Sequence, residues 1–282
     1  MRIAIIGADG MLGSEFVSLC KIRKKEYSEF TIKDVDITNK QTLAVVEQYA
    51  PTVIINCAAY TAVDKAEDDK LTAFAVNSEG VKNLAELALS LNAKFIHFST
   101  DYVFPGDGII PYVENDKTGP KSVYGESKLQ GEEHLRRVLV DKQYLLLRTA
   151  WLYGEYGNNF VKTMIRLARE GKDIKVVNDQ FGSPTFAKDL AVWTMELIDK
   201  NISGVFHATN NGACSWYDFA KKIFELQKMS VNLTKSSSEQ YITKAERPKF
   251  SIMDNSKLKK ALGYSIREWQ EALSEYLLLT KI

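Results

Sequence analysis

Tyr124 and Lys128 stand four residues apart in a stretch of helical period, so a phenol and an ammonium share one helix face, a turn apart. Such a pair suits carbonyl reduction. As hydride arrives at a ketone, negative charge builds on its oxygen, and a positioned donor has to supply a proton. A free phenol titrates at about 10, and a nearby ammonium lowers that value by favouring the phenolate. Spacing alone carries little, because the chain has 13 tyrosines and a second match lies at Tyr217 and Lys221. That second pair sits in Trp216-Tyr217-Asp218-Phe219-Ala220-Lys221-Lys222-Ile223-Phe224, an amphipathic surface pattern that packing explains. Tyr124 instead follows an apolar run, 95–98, that ends in Ser99-Thr100-Asp101. Ligands of open α/β sheets gather at the carboxyl ends of strands, so Thr100 and Asp101 are expected to face a crevice that Tyr124 overlooks.

The other chemistry-bearing pattern is Gly7-x-x-Gly10-x-x-Gly13, which closes a short apolar run and opens an apolar helical segment with Leu12, Phe16 and Val17. In that setting the glycines allow a tight turn, close approach to a pyrophosphate, and close helix-to-strand packing. The helix amino terminus then receives the phosphate charge. About 20 residues on, an acidic side chain usually accepts from the ribose of NAD. Here the region reads Phe30-Thr31-Ile32-Lys33-Asp34-Val35-Asp36-Ile37, with Thr31 and Lys33 near the expected spot and Asp34 and Asp36 slightly after it. Lys33 suits a 2′-phosphate, although a solvated lysine explains it as well. The expectation is NADPH, with NADH tolerated.

These groups need strands to carry them. Apolar, β-branched runs at 3–6, 52–56, 95–99 and 144–147 alternate with helical periods at 11–24, 71–91 and 124–138. Runs apolar on both faces, such as Val53-Ile54-Ile55, belong to a parallel sheet covered on each side by helices. The predicted class is α/β, a Rossmann-type doubly wound parallel sheet with a smaller carboxy-terminal substrate-binding lobe. Residues 1–150 are expected to form the NAD(P)-binding domain and 151–282 mainly the lobe, with some segments returning to the first domain. Within the lobe, 235–239 reads as a loop and 266–278 as a closing helix.

Composition narrows the classes. The 282 residues are 45% apolar and 26% charged, which suits an ordinary globular chain. Lys plus Arg number 37 against 36 for Asp plus Glu, and a net +1 offers no field for nucleic acid or an anionic membrane. No run approaches the ~20 apolar residues of a membrane span, and the run at 3–6 is too short for a signal segment. The chain is expected in the cytoplasm. Cys20, Cys57 and Cys214 lack CxxC spacing and read as small apolar fillers. His97 and His207 read as core histidines and His134 as a solvated one; none has a partner at metal-like spacing.

Taken together, Gly7-x-x-Gly10-x-x-Gly13, Asn56-Cys57-Ala58-Ala59-Tyr60-Thr61, Ser99-Thr100-Asp101-Tyr102-Val103-Phe104 and Tyr124-Gly125-Glu126-Ser127-Lys128 resemble the extended short-chain dehydrogenase/reductase family. Within it the chain is similar to the dTDP-4-dehydrorhamnose reductases, through Arg148-Thr149-Ala150-Trp151, Gly157-Asn158-Asn159-Phe160, Asn178 to Thr185 and Arg247-Pro248. The resemblance implies that Thr100, Tyr124 and Lys128 are catalytic. It implies that Thr100, Asp101, Tyr102, Tyr124, Trp151 and Arg247 hold a dTDP-sugar. For the cofactor, loop and resemblance together point to Gly7, Gly10, Met11, Leu12, Gly13, Asp36, Ile37, Ala58, Ala59, Tyr60, Thr61 and Lys128. A homodimer is a further implication, and so is Mg²⁺, for which Glu15 alone is no site. The chain departs from the family pattern at Ile6, where many relatives have threonine.

The implied reaction is reduction of the C4 keto group of a dTDP-linked 6-deoxysugar. Sugar-nucleotide epimerases and dehydratases share the fold and the Tyr/Lys pair. A dehydratase commonly has Asp-Glu after the strand-end threonine, whereas Asp101 is followed here by Tyr102. A non-catalytic relative similar to the regulatory β subunit of methionine adenosyltransferase is the alternative from another class.

Overall fold

We describe residues 1–280 of the chain from a computed structural model; Lys281 and Ile282, the end of the expected lobe, lie outside the described residues. Six parallel strands form the main sheet: β1 (Arg2–Ile6), β2 (Glu26–Phe30), β3 (Val53–Asn56), β4 (Lys94–Thr100), β5 (Tyr144–Thr149) and β6 (Gly204–His207). Their order is β6-β5-β4-β3-β1-β2. The chain therefore leaves β1 for one side and returns to β3 on the other, and this reversal opens a crevice at the carboxyl ends.

Alternate residues of the strands feed two cores. Ile3, Ile5, Val53, Ile55, Ile96, Phe98, Leu145, Leu147 and Phe206 face one side and meet Leu12 and Phe16 of helix α1 (Met11–Ile22). Ala4, Ile6, Ile54, Phe95 and Leu146 face the other and meet Val81 and Leu84 of α2 (Gly80–Ser90) and Leu135 of α3 (Val123–Val138). Leu190 and Ala191 of α4 (Ala187–Asp199) extend the first core. The strand period of two thus divides each strand between two helical layers.

Two stretches differ from expectation. The single helix expected over 71–91 is broken into Lys70–Phe74, a π-helical turn Ala75–Glu79 and α2. The loop expected at 235–239 begins inside a strand, Leu233–Ser236, which pairs in parallel with Ile174–Val177. Beyond β5 a third core joins Val161 and Ile165, Phe219 and Ile223, and Trp269 and Tyr276 from helices Phe160–Arg169, Trp216–Leu226 and Trp269–Thr280. Among the described residues no helix is long and apolar enough to cross a membrane.

Candidate active site

The glycine turn lies at the crevice. Gly7 has φ +73°, and a Cβ on it would come within 2.8 Å of the Ala58 nitrogen after β3. A Cβ on Gly13 would approach the Gly7 carbonyl oxygen to 2.1 Å, so α1 can rise against the turn only with glycine there. Gly10 caps α1 without a side-chain hydrogen bond. The first-turn amides of Met11, Leu12 and Gly13 are thus left for an incoming anion. A cavity of about 320 Å³ opens beside them, lined by Gly7, Gly10, Asp36, Ile37, Ala58, Ala59 and Tyr60. Cys57 and Val76 also line it, and Thr61 lies exposed just beyond. A cradle of bare backbone at a helix start, with apolar walls, fits a dinucleotide.

At the end of β2 the acids turn back on the chain. Asp34 accepts from the amide and hydroxyl of Thr31 at 2.9 and 2.8 Å, which holds its carboxyl below the usual range. Asp36 Oδ1 accepts from the amide and hydroxyl of Thr38 at 2.9 and 2.7 Å. Lys33 is exposed.

Thr100 is the last residue of β4, and its hydroxyl caps the 3₁₀ turn Asp101–Val103 by accepting from the Tyr102 amide at 3.2 Å. The same hydroxyl donates to Asp101 Oδ1 at 2.9 Å. Ser122 caps α3 through the Gly125 amide at 3.2 Å, and Glu67 accepts from the Val123 amide at 2.9 Å. Both contacts fix the turn that carries Tyr124. Its ring meets Tyr102 edge-on, with centroids 5.5 Å apart. One turn later Lys128, 3% exposed, donates to the Phe98 carbonyl of β4 at 2.6 Å.

Electrostatics corrects one expectation. Burial pushes the Tyr124 phenol above its ordinary value, and the opposing group is the Thr100 hydroxyl rather than the Lys128 ammonium. The physical reason is the Phe98 carbonyl, towards which Lys128 is turned. Burial brings Lys128 itself down to about 8, against the opposing charge of Glu132.

Asn77, in the π-helical turn, was not legible as a site residue. It is buried, its Oδ1 accepts from the Tyr60 amide at 2.9 Å, and its Nδ2 donates to the Tyr60 carbonyl and the Ser127 hydroxyl. Ser127 in turn donates to the Tyr124 carbonyl at 2.8 Å. One side chain so ties the cavity wall to the helix of Tyr124 and Lys128. The extra residue of a π turn is a recurring device at functional sites, and its only sequence trace is a polar residue in an apolar period.

The late segments close the crevice. Trp151 has φ +47° and stacks on Trp216 with centroids 3.5 Å apart, against Gly182, where a Cβ would clash with the indole. Arg247 donates to the Tyr102 hydroxyl at 3.2 Å and to Asp64 at 2.6 Å. It also borders two hollows. One of about 250 Å³ is lined by Phe160, Met164, Val176, Gln180 and Trp216, and one of about 420 Å³ by Lys121, Ser238 and Lys244.

Among the described residues no group of three or more His, Cys, Asp or Glu side chains is placed to hold a metal. Glu15 is buried in α1, where burial and the Glu155 charge raise its carboxyl to about 7. The residues present do not fit Mg²⁺ within this chain. His97 is buried and pushed well below its ordinary value by burial, and the same cause brings His207 down to about 3. His134, expected to be solvated, has a side chain only 16% exposed against Glu79. The second tyrosine–lysine pair lies on the helix Trp216–Leu226, where Lys235 sits over the Tyr217 ring and Lys221 is exposed.

Relatives share this arrangement of strands and turns. The dTDP-4-dehydrorhamnose reductase of Aggregatibacter actinomycetemcomitans is 40% identical over 286 residues, covering 96% of this chain and 97% of that protein. The spore coat polysaccharide biosynthesis protein SpsK of Bacillus subtilis is 38% identical over 277 residues, covering 98% and 96%. Among solved structures, the dTDP-4-dehydrorhamnose reductase of Bacillus anthracis in complex with NADP superposes with a TM-score of 0.95 at 40% identity, covering 99% of each chain. UDP-glucose 4-epimerase of Thermus thermophilus superposes at 0.85 with 17% identity, covering 100% of this chain and 99% of that one, a likeness of fold alone. The family model described as RmlD substrate binding domain matches residues 1–281. With that span and these identities, the chain belongs to the RmlD substrate binding domain family and is an oxidoreductase of the dTDP-4-dehydrorhamnose reductase type.

Proposed function

We propose that the protein reduces the C4 keto group of dTDP-4-dehydro-L-rhamnose to give dTDP-L-rhamnose, taking hydride from NADPH. The observation that carries the reading is the meeting of Thr100, Tyr124 and Lys128 at the carboxyl end of β4, beside a glycine cradle that fits a dinucleotide. When bound, the cofactor supplies the hydride. In this reading Gly7, Gly10 and the α1 amides of Met11, Leu12 and Gly13 hold its diphosphate, and Asp36, Ile37, Ala58 and Ala59 enclose its adenosine side. Tyr60 and Thr61 continue the same wall. Tyr124 donates its proton to the sugar oxygen, and Lys128 holds the nicotinamide ribose. Asp101, Tyr102, Trp151 and Arg247 line the way for the dTDP-sugar, with the lobe formed after residue 150 as its main seat.

Support for NADPH over NADH comes from Asp34, which is occupied by Thr31, and from the NADP bound to the Bacillus anthracis relative. The three unpaired cysteines suit a reducing cytoplasm. A homodimer remains the assembly we propose from the resemblance, to be read by light scattering. The decisive assay follows NADPH oxidation with dTDP-4-dehydro-L-rhamnose and identifies the product by NMR. Turnover of dTDP-glucose to a 4-keto-6-deoxy product would instead make the protein a dehydratase.

A further inference from the structure

The carboxyl of Asp101 lies inside the site with a task beyond holding a sugar. It is 2% exposed, its Oδ1 accepts from the Thr100 hydroxyl at 2.9 Å, and its Oδ2 has no hydrogen-bond partner. Thr100 Oγ1 also accepts from the Tyr102 amide, and the Thr100 hydroxyl is the group that draws the Tyr124 phenol down against burial. A hydroxyl has one hydrogen to give. While Thr100 gives it to a carboxylate, none is left for Tyr124. A neutral Asp101 reverses the chain. Its O–H donates to Thr100, Thr100 donates to the phenol oxygen, and the phenol hydrogen is released towards a substrate.

We propose that Asp101 is a positioning residue whose neutral form turns the Thr100 hydroxyl towards Tyr124 and so readies the phenol as proton donor. The proposal rests on the reductase reading, in which Tyr124 supplies the proton. Asp101 keeps its own proton throughout. The keto oxygen takes the proton of Tyr124 as the keto carbon takes hydride from NADPH, and the phenolate regains a proton from water.

The surroundings favour a neutral carboxyl. The titratable groups that face it are the phenols of Tyr102 on its own turn and Tyr124 on α3. The carboxy-terminal segment adds only the nearby hydroxyl of Ser251, which bonds the Phe181 carbonyl at 3.3 Å and leaves Oδ2 without a partner. Arg247 stops at the Tyr102 hydroxyl and pairs with Asp64, while Lys128 is held by the Phe98 carbonyl. Burial accordingly pushes Asp101 up to about 6, although the Ser251 and Thr100 hydroxyls oppose it.

Infrared titration tests the coupling without substrate. A protonated-carboxyl band, assigned to Asp101 by its loss in Asp101→Asn, should titrate near pH 6. Its midpoint should move to higher pH in Thr100→Val, which removes a donor from the charged form. With NADPH and the 4-keto sugar nucleotide, wild-type kcat should fall about tenfold per pH unit above that midpoint. Asp101→Asn, whose amide donates to Thr100 at every pH, should lack this limb. A variant that merely loosened the turn would lower kcat by one factor at all pH values. The proposal is overturned if no such band appears or if the wild-type limb survives in Asp101→Asn. If the band behaves as stated while the wild type reduces no 4-keto sugar nucleotide, it is the reductase reading that falls.

Discussion

Tyr124 and Lys128 share a helix face but meet different partners, and the difference divides their work. Tyr124→Phe keeps the ring and removes only the donor, so NADPH affinity should persist while kcat falls by roughly 10² to 10⁴, the usual worth of a positioned acid. Retention of more than about a tenth of wild-type kcat, a loss below ~1.4 kcal/mol, would make another group the acid. Lys128 acts on binding as well. Burial lowers it to about 8, so the ammonium is present below that value and lost above it. Raising the pH through this value should therefore weaken NADPH binding, and Lys128→Met should bind weakly with no such pH dependence. Cofactor titration at several pH values checks both. The pair was legible because Tyr124 follows a strand-end Ser-Thr-Asp; the Phe98 carbonyl that takes Lys128 was not, since a backbone acceptor leaves no mark in residue types.

Elements decide which of two identical spacings can matter. Tyr217 and Lys221 repeat the spacing on the helix Trp216–Leu226, which packs Phe219 and Ile223 into the third core and sets Tyr217 half-buried at its edge beneath Lys235. Tyr217→Phe should leave kcat nearly unchanged, and a large loss in a stably folded variant would mean that the wrong tyrosine has been chosen. The β1, β3, β4 and β5 strands were legible from apolar runs, because a buried parallel sheet needs them apolar on both faces, whereas the edge strand β2, Glu-Tyr-Ser-Glu-Phe, carries no such run. Leu233–Ser236 was not, since only two of its four residues turn inward. The π turn was equally hidden, as a single extra residue does not disturb an apolar period enough to be read. Asn77→Ala should therefore be costly in a way spacing would never suggest. It frees the Tyr60 amide and carbonyl and the Ser127 hydroxyl, so both NADPH affinity and kcat should drop, each by at least about tenfold, with ~1–3 kcal/mol lost in urea titration.

Across the whole molecule, two arginines from the motifs of the resemblance hold distant segments together, and their burial predicts opposite phenotypes. Arg148 at the end of β5 is 1% exposed and grips Glu132 of α3 with two bonds, at 2.9 and 2.7 Å, while also donating to the Glu114 carbonyl. Its removal in Arg148→Met leaves the fully buried Glu132 carboxylate, one turn beyond Lys128, with only the half-exposed Arg136 at 3.1 Å. The expected cost is about 3–5 kcal/mol, visible as a large fall in the urea midpoint before any kinetic effect can be read. Arg247 joins the late loop to the segment after Tyr60 through Asp64, and neighbouring Ala245 donates its amide to the same carboxylate at 3.2 Å. Both partners of that ion pair are partly exposed, at 26% and 42%, so screening leaves it worth no more than ~1 kcal/mol to the fold. A guanidinium that costs little to lose from the fold, stands between two hollows, and touches Tyr102 is free to serve an anionic substrate. Arg247→Ala should accordingly keep its urea midpoint and its NADPH affinity while KM for the sugar nucleotide rises. A lost charge-assisted contact of about 1.5–3 kcal/mol corresponds to a rise of roughly 10- to 150-fold. An unchanged KM, or a stability loss as large as that of Arg148→Met, would assign Arg247 to the scaffold instead.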